Sequence, residues 1–287
     1  MSARVVLAQV APALGDLDRN LKLHLEEIRR AIRARADLIV FPELSLTGYL
    51  LQDLVADCAQ RPSDSPIIER LAKESRRIGI VAGFVEQGPG MALYNAAACF
   101  SGGALAHVHR KVYLPTYGMF DEGRYFGSGE IFRTFAAPWG RTGILICEDF
   151  WHLSSSYLLS QEGMEVLIVM SNSPTKGLDA SGRPASRTSW LNLGSVVAQF
   201  LSCFVIYVNR TGYEDGWNFG GGSFAVGPSG KVIGEGKLFK GDRVSISLDE
   251  MLLRRMRTAY PLLRDEKLDL VGRELARIAA ARYRTES

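Results

Sequence analysis

The chain has 287 residues, with 34 Lys and Arg against 31 Asp and Glu, and 47% of it is hydrophobic. That balance excludes an intrinsically disordered chain, and the 29 glycines follow no collagen period. No apolar run approaches the roughly 18 residues that cross a bilayer, and a formal charge of +3 is too small for a protein whose main partner is nucleic acid.

From the N-terminus, short apolar runs rich in Val, Ile and Phe alternate with longer amphipathic stretches. Val5 to Val10 reads as a strand. The run around it, Met1 to Leu14, carries only Arg4, is interrupted by Gln9 and continues straight on, so it reads as the start of a domain rather than a cleaved leader. Leu17 to Ala36 then predicts a helix, Asp37 to Phe41 a strand buried on both faces, Ser65 to Arg77 a helix and Ile80 to Glu86 a strand. Tyr94 to Phe100 and Ala104 to Arg110 flank Ser101-Gly102-Gly103 as a hairpin. Phe132 to Phe135 and Thr142 to Ile146 flank Pro138-Trp139-Gly140 in the same way. Helix and strand alternate again over Ser155 to Glu162, Val166 to Met170, Pro184 to Leu201 and Phe204 to Asn209, and Ser223 to Gly227 with Val232 to Glu235 make a last hairpin.

Both βαβ units and hairpins are present, which predicts an α/β layered fold with mixed sheets. There is no linker rich in Pro, Ser or Gly and no internal repeat, so a single domain over 1–287 is expected, with an Arg-rich helical tail from about residue 249 interrupted at Pro261. Such a tail can pack on its own domain or reach a second subunit. Its Arg254, Arg255 and Arg257 read as a solvated helix face beside Asp265, Glu266 and Asp269.

Four cysteines, Cys58, Cys99, Cys147 and Cys203, are too sparse for a disulfide scaffold and predict free thiols in a reducing, cytoplasmic compartment. His107 and His109 would share a strand face, but no second pair stands at zinc spacing, so no metal is expected. The glycine-rich stretches Phe219 to Ser223 and Gly234 to Lys237 lack the spacing of a phosphate loop.

Three segments put reactive residues just after strand-like runs. Val40-Phe41-Pro42-Glu43-Leu44 holds a carboxylate in place and partly desolvated, as a general base requires, although a glutamate at a strand end is commonly a surface or capping residue. In His109-Arg110-Lys111-Val112-Tyr113-Leu114-Pro115, Lys111 is either one more basic loop residue or an amine whose stem its apolar and aromatic neighbours bury. Cys147, in Gly143-Ile144-Leu145-Ile146-Cys147-Glu148-Asp149-Phe150-Trp151, has the placement of a strand-to-helix nucleophile elbow, and also that of an inert core thiol.

Together, Glu43 in F-P-E-L, Lys111 in H-R-K-V-Y-L-P and Cys147 in I-C-E-D resemble, in order and spacing, the catalytic triad of the nitrilase, or carbon–nitrogen hydrolase, superfamily. The resemblance runs from Val5 to about Ile233 and takes in Val208-Asn209-Arg210 and Gly222-Ser223 to Pro228-Ser229-Gly230. It implies an α-β-β-α sandwich of the nitrilase type, no cofactor, and a homodimer or higher homo-oligomer paired through the outer helices. It also implies a second carboxylate at Glu122, beside Asp121, that positions Lys111.

The chemistry suits these residues without the name. A free thiol has a pKa of about 8.5; a neighbouring ammonium such as Lys111 favours the thiolate, and Glu43 can take its proton. Lys111 and the Glu148 N–H would bind the oxyanion formed when Cys147 attacks an amide carbonyl. A cysteine–histidine hydrolase is the chemical rival, but the one nearby histidine, His152, is expected on the outgoing helix and directed away from the thiol.

Leu114-Pro115-Thr116-Tyr117-Gly118-Met119-Phe120-Asp121-Glu122, with Cys147 to Trp151, Thr47-Gly48-Tyr49 and Asp53-Leu54, is most similar to the glutaminase domain of glutamine-dependent NAD synthetases. That resemblance implies glutamine-binding positions at Tyr117, Glu148 and Ser173. It also calls for a basic residue soon after Ser173-Pro174 to grip the substrate carboxylate, for which Lys176, Arg183 and Arg187 are candidates. Those synthetases continue into an ATP-using domain that this sequence lacks. The expected function is therefore a separate glutaminase subunit that delivers ammonia to an ammonia-dependent NAD synthetase. The alternatives are a free-standing ω-amidase, N-carbamoyl amidase or nitrilase, and, from another class, a non-catalytic binding module.

Overall fold

Strand residues sort by parity into two cores. Along β1 (Ser2–Gln9), Val5 and Leu7 face one apolar cluster and Val6 and Ala8 another, the two-residue period of a strand buried on both sides. After α1 (Leu17–Arg33), β2 (Leu38–Val40) repeats the division, and after α2 (Pro66–Glu74) so does β3 (Gly79–Gln87): Leu38, Val40 and Val81 face inward, Ile39, Ile80, Ala82 and Phe84 outward. This computed structural model describes residues 2–175, 177–180 and 182–283, residue 283 by its backbone only.

The chain continues through the hairpin β4 (Leu93–Ser101) and β5 (Ala104–Arg110), the single turn α3 (Glu122–Tyr125), the hairpin β6 (Phe135–Ala137) and β7 (Gly140–Ile146), α4 (Leu153–Gln161), β8 (Val166–Ser171) and α5 (Ala185–Phe200). Then come β9 (Phe204–Asn209), β10 (Thr211–Glu214), β11 (Trp217–Gly220), β12 (Phe224–Val226), β13 (Val232–Glu235) and β14 (Asp242–Asp249), followed by α6 (Glu250–Ala259), α7 (Leu262–Asp265) and α8 (Leu268–Tyr283). One six-stranded sheet has the order β14-β1-β2-β3-β4-β5 and the other β13-β12-β9-β8-β7-β6. Each has three parallel strands, β1-β2-β3 and β9-β8-β7, with antiparallel strands outside them.

The inward residues of the first sheet, with Ala97 and Cys99 of β4, share a core with β7, β8 and β9. Ile28, Ala31, Ile68 and Leu71 bring α1 and α2 onto the outer face of the first sheet, and Leu159, Trp190, Val197 and Ala198 bring α4 and α5 onto the second. The result is the expected α-β-β-α sandwich. Each fully buried aliphatic side chain contributes about 1.5–3 kcal/mol to that stacking.

Helix α1 is also bolted to the first sheet by polar groups. The Asp16 side chain caps it by accepting from the Arg19 amide at 3.0 Å, and its buried stripe includes Asn20 and His24. His24 Nδ1 lies 2.7 Å from the Asn20 carbonyl, which can only accept, so Nδ1 carries the proton and Nε2 accepts from the Ser45 hydroxyl at 2.9 Å. Burial, against that backbone bond, pushes the His24 pKa down to about 4. The neutral ring therefore contributes stability that is present above its ordinary pKa of 6.5 and is lost as pH falls toward 4. The loss should reach about 3 kcal/mol, measurable by urea unfolding at pH 7.5 and 4.5. A His24→Gln variant should lose that share of the pH dependence; wild-type behaviour in it would refute the assignment.

Three parts depart from the sequence expectation. Phe132 does not begin a strand: its ring stacks with His109 and Tyr113, and the hairpin residues start at Phe135, fixed by the Ala137–Gly140 pair around Pro138 and Trp139. The β10–β11 hairpin and β14 were not expected, although Val244, Ile246 and Leu248 alternate with exposed residues as an edge strand should. In the tail, Arg254 pairs with Glu250 on its own helix, but Arg257 is no solvated charge. It donates to the carbonyls of Met164 and Ser202 and docks α6 on the second sheet.

Candidate active site

The ends of β2, β5, β7 and β8 meet at one place. Glu43 stands three residues past β2 in a turn whose next residue, Leu44, has φ 44°. That turn lies directly on β3 because residue 83 is glycine: a Cβ there would sit 2.3 Å from the Leu44 nitrogen and 2.7 Å from the Pro42 carbonyl oxygen. Glu43 Oε1 accepts from Asn95 Nδ2 and from Lys111 Nζ, both at 2.8 Å, and Oε2 accepts from the Asn172 amide at 2.8 Å. Asn172 Nδ2 donates back to the Glu43 carbonyl at 2.9 Å.

Lys111 directly follows β5, with its amide bonded to the Asn95 carbonyl at 2.8 Å. Its ammonium lies between two carboxylates, Glu43 at 2.8 Å and Glu122 Oε1 at 2.7 Å. The carboxylate that faces it is Glu122, which is buried, and not the exposed Asp121. Tyr49 donates its hydroxyl to the same Glu122 oxygen at 2.7 Å. Glu214 Oε1 in turn accepts from the amides of Tyr49 and Leu50, both at 2.8 Å, and is neutralised by the buried Arg210.

Cys147 directly follows β7 with φ 47°, a left-handed elbow that turns the thiol out of the strand and opens a 3-10 turn over Cys147–Trp151. The Ser171 hydroxyl at the end of β8 donates to its sulfur at 3.4 Å and accepts from Tyr207 at 3.1 Å. Glu43 and Lys111 are each 1% exposed, Glu122 4% and Cys147 7%, so four reactive groups share one nearly dry site.

Burial works on Lys111, Glu122 and Cys147. It opposes the charged form of Lys111, but Glu122 and Glu43 outweigh it and hold the ammonium well above its usual range. Glu122 goes the other way: burial, assisted by the Glu43 charge and against Lys111, raises it to about 7. Burial and Glu43 also push the Cys147 thiol up, with Lys111 and Ser171 pulling against them. The Cys147 thiol thus lies beside a cation that two carboxylates hold in place.

Of the expected binding residues, Tyr117 and Glu148 are brought together, the half-exposed Tyr117 hydroxyl donating to Glu148 Oε2 at 2.8 Å. The Ser173 hydroxyl accepts from Trp190 Nε1 at 2.9 Å. Among the basic candidates, Arg187 pairs with Glu235 at 3.2 Å, the Arg183 amide closes a turn on Asp179, and Lys176 lies outside the described residues. His152, expected on the outgoing helix, stands one residue before α4, where it stacks on Tyr113 at 3.5 Å and faces Glu148 at 3.9 Å. No group of three potential metal ligands occurs among the described residues.

Asn95, Tyr49, Asn172 and Asp149 take part without having been singled out. Asn95 does leave a signal in the sequence, as a polar residue within the strand-like run Tyr94 to Phe100, and the structure buries it fully. The others act through backbone turns that periodicity does not reveal.

A thiol at a strand end of an α-β-β-α sandwich, beside an ammonium held by two carboxylates, has the groups of a nucleophilic hydrolase. A family model described as carbon-nitrogen hydrolase matches residues 4–257, and the chain belongs to that family. Among its relatives is a glutamine-dependent NAD(+) synthetase of Thermotoga maritima, 36% identical over 250 residues, covering 86% of this chain and 42% of the relative. An (R)-stereoselective amidase of a Pseudomonas species is 32% identical over 275 residues, 94% of both chains. The structure of glutamine-dependent NAD+ synthetase from Acinetobacter baumannii matches with a TM-score of 0.78 and 32% identity over 88% of this chain and 47% of that one. This chain thus spans less than half the length of the NAD synthetases it matches.

Proposed function

We propose that the protein hydrolyses a small linear amide through a thioester on Cys147, with Glu43 as general base and acid, Lys111 as oxyanion stabiliser and Glu122 as the carboxylate that positions Lys111. The observation that carries this is the buried Glu43–Lys111–Glu122 array around a thiol held at a left-handed elbow. The Cys147 proton passes to Glu43 as sulfur bonds to the carbonyl carbon, and the oxyanion forms against Lys111 and the Glu148 N–H. Collapse breaks the C–N bond while Glu43 returns that proton to the nitrogen, which leaves as ammonia or amine. Glu43 then takes a proton from water, whose oxygen attacks the thioester; the C–S bond breaks, the acid departs and Cys147 recovers its proton.

Within that chemistry we propose glutamine as the amide and an ammonia-dependent NAD synthetase as the recipient of the ammonia. The Tyr117–Glu148 pair supports this, because a carboxylate one residue past the nucleophile suits the α-ammonium of an amino-acid amide. The similarity to glutamine-dependent NAD synthetases supports it too. A second reading, a free-standing amidase, is favoured by the match along 94% of both chains to the Pseudomonas amidase. Incubation with glutamine and a panel of ω-amides, with and without an ammonia-dependent NAD synthetase, separates them. Glutamine turnover that rises with the synthetase is the expected result. Equal turnover of many amides, unaffected by the synthetase, would sink the glutaminase reading and leave the amidase.

A further inference from the structure

We propose that Asp149 is a positioning residue that fixes the Lys111 ammonium against the Cys147 thiol, with His109 orienting it; this rests on the thioester reading above. Its carboxylate, fully buried, is shared between the two sheets. Oδ1 accepts from the successive amides of Val112 at 3.0 Å and Tyr113 at 2.9 Å, the segment that leaves Lys111. Oδ2 accepts from the amide of Ile146 at 3.0 Å, the residue before Cys147, and from His109 Nε2 at 2.9 Å, two residues before Lys111. Four donors around one carboxylate account for its burial, which would otherwise be costly. The acceptor role of Asp149 also puts the His109 proton on Nε2.

The arrangement supplies what sheet stacking does not. β5 belongs to the first sheet and β7 to the second, and strands of different sheets share no hydrogen-bond ladder. Apolar contacts set the spacing of the sheets but are not directional, whereas hydrogen bonds to one carboxylate are. Asp149 pins the strand end that carries the cation to the elbow that carries the nucleophile, at the level of the reacting atoms. A misplacement of about 1 Å at that level costs on the order of 100-fold in rate.

Asparagine cannot replace this group. It keeps one acceptor oxygen and turns the other into a donor, so either the Val112 and Tyr113 amides or the Ile146 amide and His109 face an N–H. Asp149→Asn, His109→Phe, His109→Gln and Cys147→Ala are to be compared on the best amide of the panel. The measurements are kcat per alkylatable Cys147, KM, thermal midpoint and the rate of Cys147 alkylation by iodoacetamide. Asp149→Asn should lower kcat about 100-fold with KM within about twofold, and should slow alkylation. His109→Phe should fall about tenfold, and His109→Gln, which keeps a donor near the same place, should restore most of that.

Normal kcat per titrated site in Asp149→Asn, even with a lowered thermal midpoint, would make the residue structural and overturn the proposal. Should that variant fail to fold, equal kcat in the two His109 variants would overturn it instead. Hydrolysis surviving in Cys147→Ala would sink the thioester reading itself. An inactive Cys147→Ala beside an unimpaired Asp149→Asn would sink this inference alone.

Discussion

Cys147→Ala should abolish hydrolysis of every amide the protein turns over, a loss on the order of 10⁴- to 10⁶-fold, while leaving the fold intact. Alanine keeps the Cβ and therefore the same backbone cost at φ 47°, and the Ser171 hydroxyl, which donates to the sulfur at 3.4 Å, keeps the bond it accepts from Tyr207 at 3.1 Å. The check has two parts. Steady-state release of ammonia should vanish in the variant, and the wild type, quenched in acid during turnover of a slow amide, should carry the acyl mass on the peptide that contains Cys147. Ammonia release persisting in the variant, or an acyl group on another residue, would refute the nucleophile.

The second large effect belongs to Lys111→Met. Methionine fills the space of the lysine stem but leaves Glu43 and Glu122 facing each other without the cation that both contact within 2.8 Å. Removing one partner from a buried ionic cluster costs about 3–5 kcal/mol, and losing the oxyanion donor should lower kcat by about 10²–10³-fold. The pH dependence has a defined sign. Glu122 already holds its proton up to about 7, and without Lys111 it holds it higher still, so the native variant binds more protons than its unfolded chain. Its stability deficit relative to wild type should therefore shrink as pH falls from 8 toward 5, as read by urea unfolding. Glu122→Gln added to Lys111→Met should recover part of the deficit at pH 8. A single variant that loses less than about 1 kcal/mol and keeps its activity would mean that the cluster is not the electrostatic unit described.

The three reactive positions were legible because each follows a strand-like run in a short, distinctive string: F-P-E-L, H-R-K-V-Y-L-P and I-C-E-D. The alternation of strands with helices was legible for the same local reason, and expected elements such as Ala104–Arg110 and Phe204–Asn209 have the bounds found. Pairing across long stretches of chain was not. That β14 lies beside β1, or that Glu214 holds the Tyr49 turn, depends on residues more than 160 positions apart, as in the Tyr49 amide bond to Glu214 (a separation of 165). Local pattern carries no record of such partners. Ser173 shows the same limit at a single residue: nothing in Ser171-Asn172-Ser173-Pro174 records that its hydroxyl accepts from Trp190, on a helix 17 residues further on.

The pairing of Ser2 with Asp249 has a consequence for when the protein becomes reactive. Until residues 242–249 have left the ribosome, β1 is an edge strand, and until β7 stacks on the first sheet the thiol of Cys147 has no ammonium beside it. Pairing over such separations forms late and slowly. The last strand of the first sheet to arrive, β14, completes that sheet at the β1 edge, far along the chain from the strand end on which Lys111 stands.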